Sequence, residues 1–324
     1  IYDSPVTGSQ RTYSYAELLD AVAAFAGVLR DQGVERGDRV IIYMPMVPEA
    51  LEAMLACARI GAIHSVVFGG FAANELAVRI DDCQPKCIIA ASCGIEPGRV
   101  VHYKPLLDGA IELAGHKPEF CVIFQREQEV AHLEAGRDLD WHAFQYGVEP
   151  AACEPVEGNH PAYILYTSGT SGFSKAVMLS HKNLTSNAYG ASGLMEIPEG
   201  AVFLSILPMS HTYEFTTGFI LPLLLGARIA YAGKTPTPAI LQNLCKHEKP
   251  YLIFAVPLVL EKIYKKRVLP NIEKSWLLRL LCKFNGGRRF VHRKAGKKLI
   301  DFFGGNLVMM GIGGASLNPD VEQF

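Results

Sequence analysis

Apolar residues in the first half of the chain recur in two alternating patterns. Four stretches place them three or four positions apart, which predicts helices because such residues share one helical face. The predicted helical faces are Leu18, Val22, Phe25 and Leu29; Leu51, Met54, Leu55 and Ala58; Leu76 and Ile80; and the apolar residues of 106–113. The runs between them, residues 40–44, 63–68, 87–91 and 121–124, are mostly apolar. Strands of this kind separated by helices predict a parallel sheet covered on both faces.

Between residues 127 and 159 the chain turns polar and loses this periodicity. Pro150, Pro155 and Gly158 interrupt the segment, which predicts a connection. The alternation then resumes, with predicted strands at residues 162–166, 202–207, 228–232, 251–255 and 307–312. The sequence therefore predicts an α/β fold of two linked, mostly parallel sheets with covering helices. We expect a first subdomain over residues 1–160 and a second over residues 161–324.

Composition narrows the class of protein. With 324 residues, 49% of them hydrophobic, the chain can bury one large core or two ordinary ones. Its net charge of −1 provides no overall field toward nucleic acid or membrane, and its longest apolar run, residues 219–227, is too short to span a bilayer. The first residues lack the basic and apolar stretches of a signal peptide. We therefore expect a cytoplasmic protein with small-molecule partners, no nucleic-acid partner and no transmembrane segment; its oligomeric state stays open.

The eight cysteines are scattered through mostly apolar segments, which favours buried, reduced thiols over a disulfide framework. Cys83, Cys87 and Cys93 form the one local cluster. Their spacing fits no paired zinc-ligand pattern, so no metal site is expected there.

The segment YILYTSGTSGFSK at residues 163–175 joins an apolar strand to glycines, hydroxyl groups and one lysine. Glycines let backbone N–H groups approach phosphate oxygens, hydroxyls add donors, and a lysine adds a point charge, so the segment predicts a polyphosphate site and ATP. It is not the usual P-loop, because Phe173 follows Gly172 where that loop requires lysine. A surface turn rich in Ser, Thr and Gly is the alternative, which leaves the strand and the lysine unexplained. The candidate phosphate ligands are Thr167, Ser168, Gly169, Thr170, Ser171, Gly172 and Lys175.

The segment resembles the signature T-S-G-[ST]-T-G-x-P-K-G of the adenylate-forming family, which includes acyl-CoA synthetases. Ser174 stands where the family usually has Pro, and Ala176 stands where it has Gly. The resemblance implies the large N-terminal domain of that fold, with ATP, Mg²⁺ and CoA as reactants. It also implies that Lys175 acts in catalysis and that Thr170 contacts Mg²⁺.

Residues 1 to about 170 resemble the acetyl- and propionyl-CoA synthetase branch, on the runs GDRVIIYMPMVPEA (37–50) and CARIGAIHSVVFGGF (57–71). The resemblance implies that Phe68, Gly69 and Gly70 line the pantetheine tunnel of CoA; a tight packing turn is the alternative. It also implies that Arg99 meets the 3′-phosphate of CoA, since a guanidinium suits a phosphate dianion. A solvated loop arginine is the alternative.

Residues beyond Lys175 are similar to medium- and long-chain acyl-CoA synthetases, on the segments 177–184, 207–214 and 256–264. An engineered chimera and a divergent natural branch both account for this change, and the sequence does not separate them. The resemblance implies a catalytic role for His211 at the acyl and phosphate end of the site, and a Mg²⁺ contact for Glu214; for His211, a structural strand-end histidine is the alternative. It further implies that Gly313, Gly314 and Ala315 lie along adenine.

The resemblance as a whole implies an AMP-forming acid–CoA ligase, with a short-chain acid such as propionate or acetate favoured. A long-chain fatty acid–CoA ligase and a non-catalytic nucleotide-binding fragment or chimera are the alternatives. We expect the C-terminal lid domain to be absent and the chain alone to be inactive or impaired. The basic residues of 288–298 are interpreted as a solvated helix face, with a docking site for membrane or CoA as the alternative.

Overall fold

The computed structural model describes residues 2–3, 7–96, 99–143, 147–168, 174–194, 196–233 and 236–324. The strands are Tyr2–Asp3 (β1), Gln10–Arg11 (β2), Arg39–Met44 (β3), Ile63–Phe68 (β4), Cys87–Ala91 (β5), Cys93–Glu96 (β6), Arg99–His102 (β7), Phe120–Phe124 (β8), Asp138–Asp140 (β9), Pro161–Ser168 (β10), Ser174–Ser180 (β11), Val202–Ser205 (β12), Arg228–Tyr231 (β13), Leu252–Ala255 (β14) and Met309–Ile312 (β15).

The α-helices are Tyr15–Asp31 (α1), Pro48–Arg59 (α2), Ala73–Cys83 (α3), Tyr103–Leu113 (α4), His181–Ser192 (α5), Leu221–Leu224 (α6), Pro238–Glu248 (α7), Pro257–Ile263 (α8), Leu269–Glu273 (α9), Trp276–Cys282 (α10), Asn285–Phe302 (α11) and Pro319–Gln323 (α12). Two π-helical segments, Glu214–Ile220 and Tyr264–Val268, precede α6 and α9.

The first sheet has the strand order β11-β10-β4-β3-β5-β8-β9 in the described residues. Adjacent strands in this sheet are parallel, except that β10 and β11 are antiparallel. β5 and β8 are buried along their whole length, as expected for strands covered by helices on both faces. The strand order reverses direction at β3, where β4 lies on one side and β5 on the other.

The second sheet has the order β15-β14-β12-β13-β1-β2, and among its described pairs β1–β2 is antiparallel while the others are parallel. Its order reverses at β12, which lies between β13 and β14. Ligands of open α/β sheets bind at the carboxyl ends of strands beside such a reversal. The predicted class, α/β with two mostly parallel sheets and covering helices, is confirmed.

Sheet membership differs from the division at residue 160 that the sequence suggested. β10, expected in the second sheet, lies beside β4 in the first, where Tyr163 pairs with His64. Conversely, β1 joins the second sheet beside β13, where Tyr2 pairs with Tyr231. Apolar runs indicate which residues form strands, but neighbours in a sheet are chosen by contacts distant in sequence. The two subdomains as folding units stay a prediction.

The connection at residues 127–159 is anchored to the first half. It contains the short strand β9, which the sequence did not predict because its residues are mostly polar. Trp141 is buried and stacks on Phe25 of α1 with ring centroids 3.8 Å apart. The Ala151 amide also donates a hydrogen bond to the Ala23 carbonyl of the same helix. The segment therefore packs as part of the first core.

All eight cysteine thiols are free, and six of them are buried. Within the described ranges, no helix combines the length and the apolar character that crossing a bilayer requires.

Candidate functional site

Lys175 lies directly opposite Thr167 in the antiparallel pair of β10 and β11. Residues opposite each other in such a pair project from the same face of the sheet, so the hydroxyl and the ammonium group lie on one side. Both residues are exposed. Ser168 pairs with Ser174 through the backbone. Of the remaining phosphate candidates, Gly169, Thr170, Ser171 and Gly172 lie outside the described residues.

The candidate CoA turn follows β4, the parallel neighbour of β10, so it lies at the same carboxyl edge of the sheet. Phe68 ends β4, and the described structure includes its backbone only. A Cβ on Gly69 would lie 2.3 Å from the Tyr103 hydroxyl oxygen, and Gly70 has a φ of +104°. Both positions therefore require glycine. Packing against Tyr103 accounts for Gly69, and the CoA role stays a prediction.

Arg99 begins β7, which forms an antiparallel hairpin with β6. Its guanidinium forms an ion pair with Glu96 at 2.6 Å and is 69% exposed. In the same hairpin, a Cβ on Gly94 would lie 2.2 Å from the Tyr103 hydroxyl oxygen. Tyr103 therefore packs between the Gly69 turn and the Arg99 hairpin. The two elements predicted to contact CoA are neighbours, a relation that their sequence positions do not reveal.

The carboxyl edge of the second sheet carries the candidate adenine turn. The Gly313 amide donates a hydrogen bond to the Ala255 carbonyl at the end of β14. Gly314 has a φ of +85°, and both Gly314 and Ala315 are exposed. His211 is exposed on the connection after β12, the strand beside β14. The structure thus brings His211 and the glycine turn to one sheet edge.

Tyr213 covers one side of the adenine turn. A Cβ on Gly313 would lie 2.8 Å from its ring, and a Cβ on Gly311 would lie 3.1 Å from its hydroxyl oxygen. The ring also meets Phe254 edge-on, with centroids 5.5 Å apart. In the sequence Tyr213 lies two positions after His211. Its contact with residues about 100 positions away could not be predicted from the sequence.

Glu214 is buried, with 1% of its surface exposed. Burial raises the pKa of its carboxyl group to about 8. A carboxyl group in this state is mostly protonated at pH 7. No group of three or more His, Cys, Asp or Glu residues that could hold a metal occurs in the described ranges. A protonated carboxyl group is a poor ligand for Mg²⁺, so we assign no step of a reaction to Glu214, and its Mg²⁺ contact stays a prediction.

A hydrogen bond joins the first half of β10 to the connection that follows β12 in the second sheet. The Tyr163 hydroxyl on β10 donates to the carbonyl of Ser210, next to His211, at 3.0 Å. His64 stacks on the Tyr163 ring with centroids 4.9 Å apart, and Phe215 contacts both rings. Burial lowers the pKa of His64 to about 3, with a smaller contribution from His181. His64 is therefore a neutral core residue that supports the strand carrying Thr167.

Comparisons with known proteins agree with these features. The sequence profile described as "AMP-binding enzyme" matches residues 2–324. An uncharacterised protein of Pseudomonas aeruginosa is 45% identical over 271 residues, which are 82% of this chain and 43% of the relative. The mitochondrial acyl-CoA synthetase short-chain family member 3 of Rattus norvegicus is 55% identical over 179 residues, 55% of this chain and 26% of the relative.

Propionate–CoA ligase of Escherichia coli is 40% identical over 243 residues, which are 72% of this chain and 38% of the relative. The chain thus spans less than half the length of each of these three relatives.

Proposed function

Because the chain belongs to the AMP-binding enzyme family, we propose that it acts as an AMP-forming acid–CoA ligase on a short-chain carboxylate. In this reaction a carboxylate oxygen attacks the α-phosphorus of MgATP and pyrophosphate leaves. The CoA thiolate then attacks the acyl carbon of the acyl-adenylate, and AMP leaves. Positioning and charge neutralisation are the contributions that a protein makes to such phosphate chemistry.

One observation carries the proposal. Lys175 and Thr167 project from one face at the end of β10, and the Gly69–Gly70 turn ends the parallel neighbour β4. The candidate phosphate lysine and a glycine turn that could admit a thin ligand therefore share one sheet edge, which supports a reaction between an adenylate and a thiol.

We assign the residues of this chain as follows. The Lys175 ammonium neutralises charge on the β- and γ-phosphates, with Thr167 and Ser168 as further donors. Gly313, Gly314 and Ala315 present a surface without bulky side chains to the adenine. The His211 imidazole hydrogen-bonds the carboxylate or an adenylate oxygen. Gly169, Thr170, Ser171 and Gly172 complete the phosphate site, and Mg²⁺ enters with ATP.

The substrate class follows from the relatives. Two of them are named as a short-chain acyl-CoA synthetase and a propionate–CoA ligase, so propionate or acetate is proposed. A long-chain fatty acid is the second candidate. It rests on segments 207–214 and 256–264, which follow β12 and β14 at the edge that carries His211.

Pyrophosphate exchange into ATP tests the proposal, with acetate, propionate and palmitate compared on one sample. We expect propionate or acetate to support the fastest exchange; palmitate as the best substrate would favour the second candidate. Calorimetry of ATP binding gives a readout that needs no turnover. A charge-assisted phosphate contact contributes roughly 1.5 to 3 kcal/mol, so Lys175→Ala should weaken ATP about tenfold or more. Lys182→Ala, at an exposed lysine in the first turn of α5, is the matched control, and equal effects of the two variants would contradict the assignment.

A further inference from the structure

Residues 262–298 are strongly basic, although the chain as a whole is nearly neutral. They contain thirteen lysines and arginines and a single acidic residue, Glu273, in a chain of net charge −1. The segment runs from the end of α8 through α11. Its positive charge is therefore concentrated on one group of helices and balanced by acidic residues elsewhere in the chain.

Large apolar side chains are exposed on the same helices. Trp276, Leu277 and Leu280 of α10 are 68%, 51% and 45% exposed, and Phe284, just after this helix, is 65% exposed. Trp276 and Leu280 are four positions apart and share one face of α10, and Phe284 directly precedes α11. A helix face that only meets water carries polar residues. Solvation alone, the interpretation suggested by the basic residues of 288–298, does not account for this apolar stripe; a contiguous exposed apolar patch marks an interaction surface.

A groove of about 540 Å³ lies between α7, α9, α10 and α11. Its lining includes the apolar side chains of Val268, Leu278 and Phe302. The cationic side chains of Lys246, Arg267, Lys294 and Lys298 also line it, and Asp301 is the acidic residue among the described lining residues.

Two of these cations lie over aromatic rings. The Arg267 guanidinium is 4.8 Å from the centroid of the Phe302 ring, and the Lys294 ammonium is 5.0 Å from that of Phe290. Phe290 is itself 53% exposed. Ammonium and guanidinium groups that lie over apolar side chains suit a ligand that has an anionic group and an apolar body.

An anionic lipid surface has this chemistry. Tryptophan, phenylalanine and leucine enter the boundary between headgroups and acyl chains, while lysine and arginine meet lipid phosphates. Nucleic acid would match the cations but not the exposed leucines. We propose that the helices α10 and α11 form a surface that docks on an anionic lipid bilayer. Trp276, Leu280 and Phe284 enter the interface, and the exposed cations of α11 bind lipid phosphates. This docking goes beyond the proposed ligase activity and does not depend on it.

Intrinsic fluorescence tests the docking directly. The chain has two tryptophans; Trp141 is buried against Phe25, so Trp276 reports on the surface. Vesicles of pure phosphatidylcholine are compared with vesicles containing 30% phosphatidylserine. We expect a blue shift of Trp276 and co-sedimentation with the anionic vesicles only, both reduced at high salt. Equal binding to both vesicles, or no shift at saturating anionic lipid, would overturn the proposal.

Variants distinguish docking through α10 and α11 from nonspecific adsorption to vesicles. Arg288→Gln combined with Arg289→Gln removes two charges and should weaken partitioning about 25-fold, at about fivefold per charge. Leu280→Ser combined with Phe284→Ser should abolish the blue shift of Trp276. The controls are Leu194→Ser, at a residue that is 84% exposed elsewhere, and Lys182→Gln, and both should bind as wild type does. Unchanged partitioning of the α10–α11 variants would refute the proposal. So would concentration-dependent dimers that Leu280→Ser dissolves without any vesicle binding, because the occupant would then be a second copy of the chain.

Discussion

Glu214 shows how one buried side chain can make stability depend on pH. A Cβ on Gly218 would lie 2.3 Å from a Glu214 carboxyl oxygen, so the group fills the space that this glycine leaves. Neither carboxyl oxygen has a hydrogen-bond partner in the described part of the chain. The folded state therefore favours the protonated form, whose pKa is about 8 against 4.5 for a free carboxyl group. The folded protein binds this proton more tightly than the unfolded protein does. The contribution of Glu214 to the free energy of unfolding is therefore complete below pH 4.5 and is lost as the pH rises through 8.

We predict that Glu214→Gln stabilises the protein at pH 7 but not at pH 4.5. The substitution keeps a neutral group of similar size. It therefore removes the free-energy cost of keeping the buried carboxyl group protonated at pH 7. Between pH 4.5 and pH 7 the free energy of unfolding of wild type should fall relative to the variant by on the order of 3 kcal/mol. Urea denaturation of both proteins at the two values measures this difference.

The difference between the proteins is the decisive quantity, because His64 acts in the opposite direction. Its pKa is about 3 in the folded protein, so its contribution is lost as pH falls from 6.5 toward 3. Subtracting the wild-type curve cancels this term. A difference that stays constant between pH 5 and pH 7 would contradict the account of Glu214.

At the scale of elements, the sequence predicted what is local. The strands predicted at 63–68 and 87–91 are found residue for residue as β4 and β5, because strands that are covered on both faces carry mostly apolar runs. β11 was not predicted, although residues 176–179 form an apolar run; it lies at the sheet edge, where Lys175 to Met178 are exposed. The hairpin of β6 and β7 was missed for a related reason, since three of the four residues of β7 are exposed.

The candidate site was predicted residue by residue, but its assembly was not. The motifs indicated the adenylate-forming family, and family membership is confirmed. The contact of Tyr103 with both Gly69 and Gly94 depends on tertiary packing between segments that share no motif. The same holds for the placement of β10 beside β4, which sets the phosphate candidates next to the CoA turn. Pairing over about 100 residues leaves no periodicity in either segment.

We predict that Gly69→Ala destabilises the protein by about 1 to 3 kcal/mol, the usual cost of an overpacked site. The reason is the Tyr103 ring, whose hydroxyl oxygen would lie 2.3 Å from the new Cβ. Gly109→Ala in α4 is the control, because its Cβ would meet Ala73 at 3.5 Å and alanine favours a helix. Guanidinium denaturation of Gly69→Ala, Tyr103→Leu and the double variant should show that the two costs do not add. Additive costs would mean that the ring does not determine the need for glycine.

We predict that Arg99→Ala weakens CoA binding about tenfold or more and leaves ATP binding unchanged. The β6–β7 hairpin holds the guanidinium exposed beside Glu96, where it can exchange that partner for a phosphate dianion. Dephospho-CoA, which lacks the 3′-phosphate, should be affected much less, as calorimetry with both ligands would measure. Arg30→Ala removes a comparable exposed arginine that pairs with Glu154 and is the control. If CoA and dephospho-CoA weaken equally, Arg99 does not bind the 3′-phosphate.

At the scale of the whole molecule, the two sheets are joined through few polar contacts and a shared apolar core. Phe215, Phe219 and Tyr231 of the second half pack into the core of the first half. The Tyr15 hydroxyl of α1 donates to the Ala227 carbonyl before β13 at 2.8 Å. The Tyr163 hydroxyl donates to the Ser210 carbonyl at 3.0 Å. This last bond reaches the residue before His211, so it ties the His211 connection to the strand that leads to Thr167.

We predict that Tyr163→Phe loosens the connection at residues 206–212 without unfolding the sheets. Loss of one buried hydrogen bond should reduce the free energy of unfolding by about 1 kcal/mol. Tyr43→Phe is the matched control, because the Tyr43 hydroxyl is also buried and donates to a backbone carbonyl, that of Phe71, at 2.9 Å. The two variants should lose similar stability, yet amide hydrogen exchange should rise at 206–212 in Tyr163→Phe and around Phe71 in Tyr43→Phe. If 206–212 exchanges equally fast in wild type and Tyr163→Phe, the His211 connection is held by the apolar core alone, and the hydrogen bond between the sheets plays no part in positioning the site.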